Sequence, residues 1–259
     1  MTEFQGSATP LTPAGLTAVM NLLGVGQPEL WTIITVETQG CGFWQDRTPQ
    51  ILYERHIFSK LTGGQYDDGV ISDPKPGGYP PSGAPMYARL ALAIAKDREA
   101  ALQSASWGIG QVLGENYKVA GYDNVEDMVA AMQESEDAQL LAMGNFIVSN
   151  RISGALQQHQ WAAYAQVYNG ASYKENQYDT KLANAYAQYA TGKFPDLNVR
   201  ASQMYLSYLG HPCSVDGESG PHTLSALNQF ETAQGVNPLS TGIDANTVAL
   251  LSGALPVIG

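Results

Sequence analysis

The 259-residue chain has little charge: 14% of its residues are Asp, Glu, Lys or Arg. Cations are scarcest, 13 Lys and Arg against 24 Asp and Glu, for a net charge of −11 and a pI near 4.6. Such a field repels phosphate backbones and anionic bilayers, so nucleic-acid binding is excluded as a function. There are two cysteines, Cys41 and Cys213, too few and too far apart for a disulfide framework, and they read as free thiols made in a reducing compartment. No apolar run is long enough to span a bilayer, which argues against stable membrane insertion. The segment MTEFQGSATPLTPAG lacks the basic and apolar regions of a signal peptide, so synthesis in the cytoplasm without one is expected. The four histidines form neither H-x-H nor H-E-x-x-H, and C-x-x-C is absent, so no metal or organic cofactor is expected.

What is present is mostly helical patterning. Thr12-Pro13 starts a helix that Gly24 ends, and Pro28 opens a second on which Leu30, Ile33, Ile34 and Glu37 share one face. From Gly40 to Pro85 the pattern becomes short β-like pieces, PQILYERHIF among them, and a Gly/Pro/Asp-rich loop of the kind that walls a cleft. Helical patterns return in MYARLALAIAKD, near GIGQVLGENY, in NVEDMVAAM and SEDAQLLAMGNFIVS with Asn124 and Ser135 as caps, and in SGALQQHQWAAYAQVY and QYDTKLANAYAQYA. GKFPD breaks the run. The expected division is a first domain over 1–192, a linker over 193–198, and a module over 199–259 with three short helices, small enough to suit binding better than catalysis. The fold class is mainly α.

The stretch IITVETQGCGFW sets a carboxylate, Glu37, four residues before Cys41. At the end of an apolar helical stripe, burial and the helix dipole both disfavour the anion, raising the pKa as a general acid requires. Cys41 follows a helix C-terminus, where the dipole opposes a thiolate. A cysteine peptidase built from Cys41, His56 or His159, and Asn169 is therefore the weaker alternative.

Three segments in order, Glu37-Thr38, Ser106-Trp107-Gly108-Ile109-Gly110-Gln111 and Tyr168-Asn169, resemble the signatures of the goose-type lysozyme and soluble lytic transglycosylase superfamily: a catalytic Glu usually followed by Ser, then S-x-G-x-x-Q, then Y-N. Over residues 15–190, E-T-Q-G, ILYERHIF, GGY, SASWGIGQV, WAAYAQVYNG and YDTKLANAYA resemble the N-acetylmuramidase domain of modular bacteriophage endolysins. The resemblance implies a lysozyme-like domain with a small β/loop wing and Glu37 on the floor of a groove. Carried over by position, Glu37 matches the general acid, Thr38 takes the place of Ser, Ser106, Gly108 and Gln111 border the sugar, and Tyr168 and Asn169 line the cleft near the acid. Glu54 and Asp46 are candidates for a second carboxylate, and Trp44, Trp107 and Trp161 for sugar stacking. The C-terminal segment VDGESGPHT is similar to the V-D-G-x-F-G-P-x-T signature of peptidoglycan-binding modules, with Ser219 in place of Phe, and makes Asp216, Gly217, Gly220 and Thr223 wall-binding candidates. The implied partner is the peptidoglycan glycan strand, attacked by a monomer once a phage partner has permeabilised the membrane. The implied reaction is hydrolysis between N-acetylmuramic acid and N-acetylglucosamine. Transglycosylation to anhydro products, with no second carboxylate, is the alternative.

Overall fold

The computed structural model describes residues 3–38, 40–237 and 239–258; Gln39 of the E-T-Q-G motif and Pro238 of the last turn signal lie outside them. Helix α1 (Pro13–Leu23) is capped by the Thr12 hydroxyl and stopped by Gly24 at φ 65°, as its sequence dictates. It packs against α7 (Glu136–Ser149), where a Cβ on Gly144 would come within 3.1 Å of Val19. Helix α2 (Gln27–Thr38) packs against α10 (Tyr178–Tyr189), the two joined by a 2.7 Å hydrogen bond between Thr35 and Tyr189. Leu30, Trp31, Ile33 and Ile34 of α2 are buried in one large core shared with α1, α7 and α10. That packing fixes the last turn of α2, where Glu37 stands.

The wing differs from its sequence reading. Strand β1 (Ile51–Tyr53) forms as expected, but Arg55–Leu61 is a helix, α3, so the RHIF half of ILYERHIF is not β. The long loop that follows is pinned from within: Asp68 Oδ1 accepts from the amides of Val70 and Ile71, and Arg55 and Arg89 hold the carbonyls of Gly69 and Gly78. After α4 (Ala84–Ile94) comes α5 (Arg98–Gln103), a helix absent from the sequence reading and capped by Asp97. The stretch GIGQVLGENY, expected to be helical, is instead a hairpin and a short 3-10 turn. Strands β2 (Ala105–Trp107) and β3 (Val112–Leu113) pair antiparallel, and β1 completes a three-stranded sheet in the order β1-β2-β3. Left-handed backbone at Gly108 and Gln111, φ 68° and 47°, reverses the chain between them.

Beyond the sheet lie α6 (Val125–Glu134) and α7, with the expected Asn124 and Ser135 caps. The run SGALQQHQWAAYAQVY is two helices, α8 (Ser153–Gln157) and α9 (Trp161–Tyr168), because His159 adopts φ 55° and breaks the ladder. The three C-terminal helices are α11 (Leu197–Tyr208), α12 (Pro221–Ala233) and α13 (Ala245–Gly253), closing on a small core that includes Leu206, Leu227, Phe230 and Leu251. Helix α11 takes in the last two residues assigned to the linker. The arrangement is the mainly helical, lysozyme-like fold with a three-helix module that the sequence suggested.

The module is more than tethered. Met204 packs with Ala8 and Phe43, the Tyr208 hydroxyl donates to the carbonyl of Ala8, and Arg47 donates to the carbonyl of Pro256. Arg200, 1% exposed, enters the first domain and pairs with the fully buried Glu136.

Candidate active site

Glu37 projects from the last turn of α2 beneath the residues that follow α9. Asn169, at the C-cap of α9, donates from Nδ2 to Glu37 Oε1 at 2.9 Å. Burial drives the carboxyl pKa up to about 7, against the opposing pull of the Asn169 hydrogen bond and the Lys181 cation. The carboxyl therefore holds its proton to well above the ordinary carboxylate range. Its neighbours Tyr164 and Tyr168 titrate well above the usual phenol range, through burial and the Glu37 charge, and so stay neutral. The Tyr168 hydroxyl donates to the carbonyl of Gly110 at 2.6 Å, so the Y-N pair joins the hairpin to the acid.

A groove of about 390 Å³ opens beside this pair, lined by Tyr168, Asn169, Ser106, Gln111, Glu54 and His56 among others. Two of the sequence signatures and the wing candidate therefore meet on one surface. Ser106 sits in β2 opposite Leu52 and Leu113. Gln111 donates to the carbonyls of Gly108 and Gln50, bracing the hairpin with the amide that borders the groove. Glu54 precedes α3 and receives the Tyr79 hydroxyl on both oxygens, at 3.0 and 2.8 Å. His56 Nδ1 lies 3.1 Å from Glu54 Oε2, out of line for a hydrogen bond. Arg55 is paired with Asp73 rather than with Glu54.

Other candidates have other occupations. Asp46 is absorbed in a turn, its Oδ1 accepting from the amide and hydroxyl of Thr48, and does not line the groove. Thr38 is buried, its hydroxyl directed to the carbonyls of Ile34 and Ile109, and it does not line this groove. Trp107 is a core residue with its indole N–H on the carbonyl of Leu102, and is not available for stacking. Trp161 stacks with His159, and Trp44 borders a second groove between the first domain and the module. In the module, Asp216, Gly217 and Thr223 wrap the side chain of buried Gln203, which accepts from the amides of Asp216 and Gly217 and donates to Asp216 Oδ1 and Thr223 Oγ1. Gly220 is the N-cap of α12, and a Cβ on Gly217 would meet Pro195 at 2.5 Å. The D-G-x-x-G-P-x-T pattern is thereby accounted for as a structural clasp.

The thiol alternative finds no geometry. Cys41 donates to the carbonyl of Phe43, and burial reinforced by the Glu136 carboxylate pushes its pKa up to about 12. His159 is held by Glu29 at 2.8 Å, His56 borders Glu54, and Asn169 serves Glu37.

Four buried polar residues that the sequence reading did not single out hold the surrounding structure: Gln139 beside the hairpin, the pair of Glu136 and Arg200 between the first domain and the module, and Gln203 within the module. Buried Gln139 accepts from the Ile109 amide at 2.7 Å and donates to the carbonyl of Met132, clamping the hairpin turn to α7. It gave no signal, because one Gln in a helix reads as surface.

A family model described as N-acetylmuramidase matches residues 26–190, which hold Glu37, the hairpin and the Y-N pair together. The chain belongs to the N-acetylmuramidase family. It is accordingly a glycoside hydrolase of peptidoglycan, and the helical domain is a muramidase domain. Its fold is shared with the crystal structure of the Burkholderia AP3 phage endolysin: TM-score 0.64, 36% identity, over 71% of this chain and 72% of that one. No curated protein matches the chain. The muramidase match ends before α11.

Proposed function

We propose that the protein is a phage-type endolysin whose muramidase domain hydrolyses the β-1,4 bond between N-acetylmuramic acid and N-acetylglucosamine, with Glu37 as the general acid. The observation that carries this reading is Glu37 itself: a carboxyl whose pKa burial raises to about 7, hydrogen-bonded to Asn169, which in turn lines the groove shared with the hairpin residues Ser106 and Gln111. Glycosidic cleavage needs a proton on the leaving oxygen and relief of oxocarbenium charge. A carboxylic acid that is still substantially protonated near neutrality can supply the first. Glu54, facing the same groove and oriented by Tyr79, is the better second carboxylate, serving the oxocarbenium or an attacking water; Asp46 is engaged elsewhere. Asn169 Oδ1 is buried without a protein donor, which suits an acetamido N–H or sugar hydroxyl of the bound strand. Ser106 and Gln111 present hydroxyl and amide to the same sugars.

Wall recognition by the module, whose fold the Asp216, Gly217, Gly220 and Thr223 clasp holds together, belongs to the same proposal, as does action as a monomer. Among the described residues no helix is long and apolar enough to cross a membrane. Passage to the wall through a separate membrane-permeabilising protein is part of the same proposal, and the likeness to a phage endolysin is what supports it. The test is mass spectrometry of purified peptidoglycan digested with the full chain. Reducible N-acetylmuramic acid ends are expected. Anhydro-muramic ends, lighter by one water, would replace hydrolysis by transglycosylation, and intact glycans with cut peptides would refute the reading.

A further inference from the structure

Buried charge is rare in this molecule, yet Glu136 and Arg200 are both almost completely enclosed. They come from different units, Glu136 from the start of α7 and Arg200 from the module's first helix. Their contacts converge on one piece of backbone. Arg200 donates from Nε to the Gly40 carbonyl at 2.9 Å, and its Nη2 reaches both that carbonyl and Glu136 Oε1. Glu136 Oε1 also accepts from the Gly42 amide at 2.9 Å, while Oε2 accepts from Leu11 and from Arg200 Nη1. Gly40 lies three residues after Glu37 and turns at φ 94°, so the pair grips the chain as it leaves the helix end that carries the acid. A planar guanidinium sets its donors on three separate nitrogens, so it can meet both carboxylate oxygens and the Gly40 carbonyl in one fork, a geometry that the single nitrogen of an ammonium cannot reproduce.

We propose that Arg200 is a positioning residue for the muramidase reaction: the C-terminal module reaches into the first domain and, through Gly40 and Glu136, fixes the end of α2 so that Glu37 is held in its Asn169-bonded position. The module then completes the catalytic unit in addition to any role on the wall. This inference rests on the muramidase reading of Glu37. The groups facing Glu37 are Asn169 and the phenol Tyr168 after and within α9, Tyr164 of α9, and Tyr178 and Lys181 of α10; those facing Glu136 are Arg200, Cys41, Tyr205 and Tyr208. None of the first set belongs to the module, so Arg200 acts on Glu37 through the backbone and not as a nearby charge.

The experiment is turnover of soluble peptidoglycan fragments, where wall binding plays no part, across pH for the full chain and two variants. Arg200→Lys keeps a cation beside Glu136 but loses the Nε and Nη2 donors that hold Gly40; Glu136→Gln with Arg200→Met removes both charges and the grip. Circular dichroism checks folding. For both variants we expect kcat to fall about 10- to 100-fold, the order seen for small misplacements of a reacting group, with KM little changed. The high-pH limb, set near 7 by Glu37 in the natural chain, should move toward the ordinary carboxylate range as water reaches the acid. Folded variants with the natural kcat and limb would overturn the proposal, as would unfolding of both, which would make the pair a requirement of folding alone. A natural chain that leaves the glycosidic bond intact would instead defeat the muramidase reading.

Discussion

Glu37 illustrates how position alone raises a carboxyl's hold on its proton. Burial raises its pKa from 4.5 to about 7, which means that the folded state holds a proton more tightly than the unfolded chain does. Its contribution is therefore favourable below pH 4.5 and is lost as pH rises toward 7. Glu37→Gln should abolish turnover while stabilising the fold above pH 7 by about 2–3 kcal/mol relative to the natural protein, with no gain at pH 4. Thermal denaturation across pH measures this; an unchanged difference at all pH values would place Glu37 in solvent. Asn169 acts in the opposite sense, since its hydrogen bond favours the ionised form. Asn169→Ala should raise the pKa of Glu37 and shift the high-pH limb upward while kcat drops about tenfold or more, checked by pH–rate profiles on soluble fragments. That Glu37 stands where its anion is disfavoured was legible from the apolar stripe of α2; Asn169 as its hydrogen-bond partner was suggested only through resemblance, because the two are 132 residues apart.

Among the elements, those with strong local punctuation were readable from sequence. Thr12, Asn124 and Ser135 each cap the helix their side chain announces, and Gly24 ends α1. The hairpin was not readable. Its turn depends on a left-handed Gln111, which no propensity favours, and on Gln139 holding the Ile109 amide from another helix. Tertiary contact overrode the local pattern there, as it did where ILYERHIF passed from strand to helix. Gly108 can be tested on its own. At φ 68°, with a Cβ only 2.4 Å from the Gln139 side chain, Gly108→Ala should cost about 2–4 kcal/mol and lower the melting temperature. Activity should fall further than stability explains, since displaced Gln139 releases the turn that Tyr168 and Gln111 brace.

At the level of the whole molecule, the three module helices could be read from their own faces, but the seat of the module could not. A buried Arg on α11 and a buried Glu at the first turn of α7, 64 residues apart, look in sequence like ordinary helix-surface charges. A tethered wall binder, the expectation from sequence, would lose adhesion and little else on removal of residues 196–259. The structure predicts otherwise. Truncation would leave Glu136 buried without its cation, at a cost of about 3–5 kcal/mol, and would free the Gly40 carbonyl. Turnover of soluble fragments and thermal stability should both decline in the truncated chain, and retention of both would show that Glu136 finds solvent or a proton at little cost.

The same buried pair bears on how such a protein is inherited and rebuilt. Lytic enzymes assembled from parts invite recombination at the seam between them, yet a crossover after residue 192 would separate Glu136 from Arg200. A newly joined binding unit would succeed only if its first helix brought an arginine to that depth, or if the acceptor lost its acid in the same event. The seam that looks most permissive in the sequence is thus a filter on which chimaeras survive.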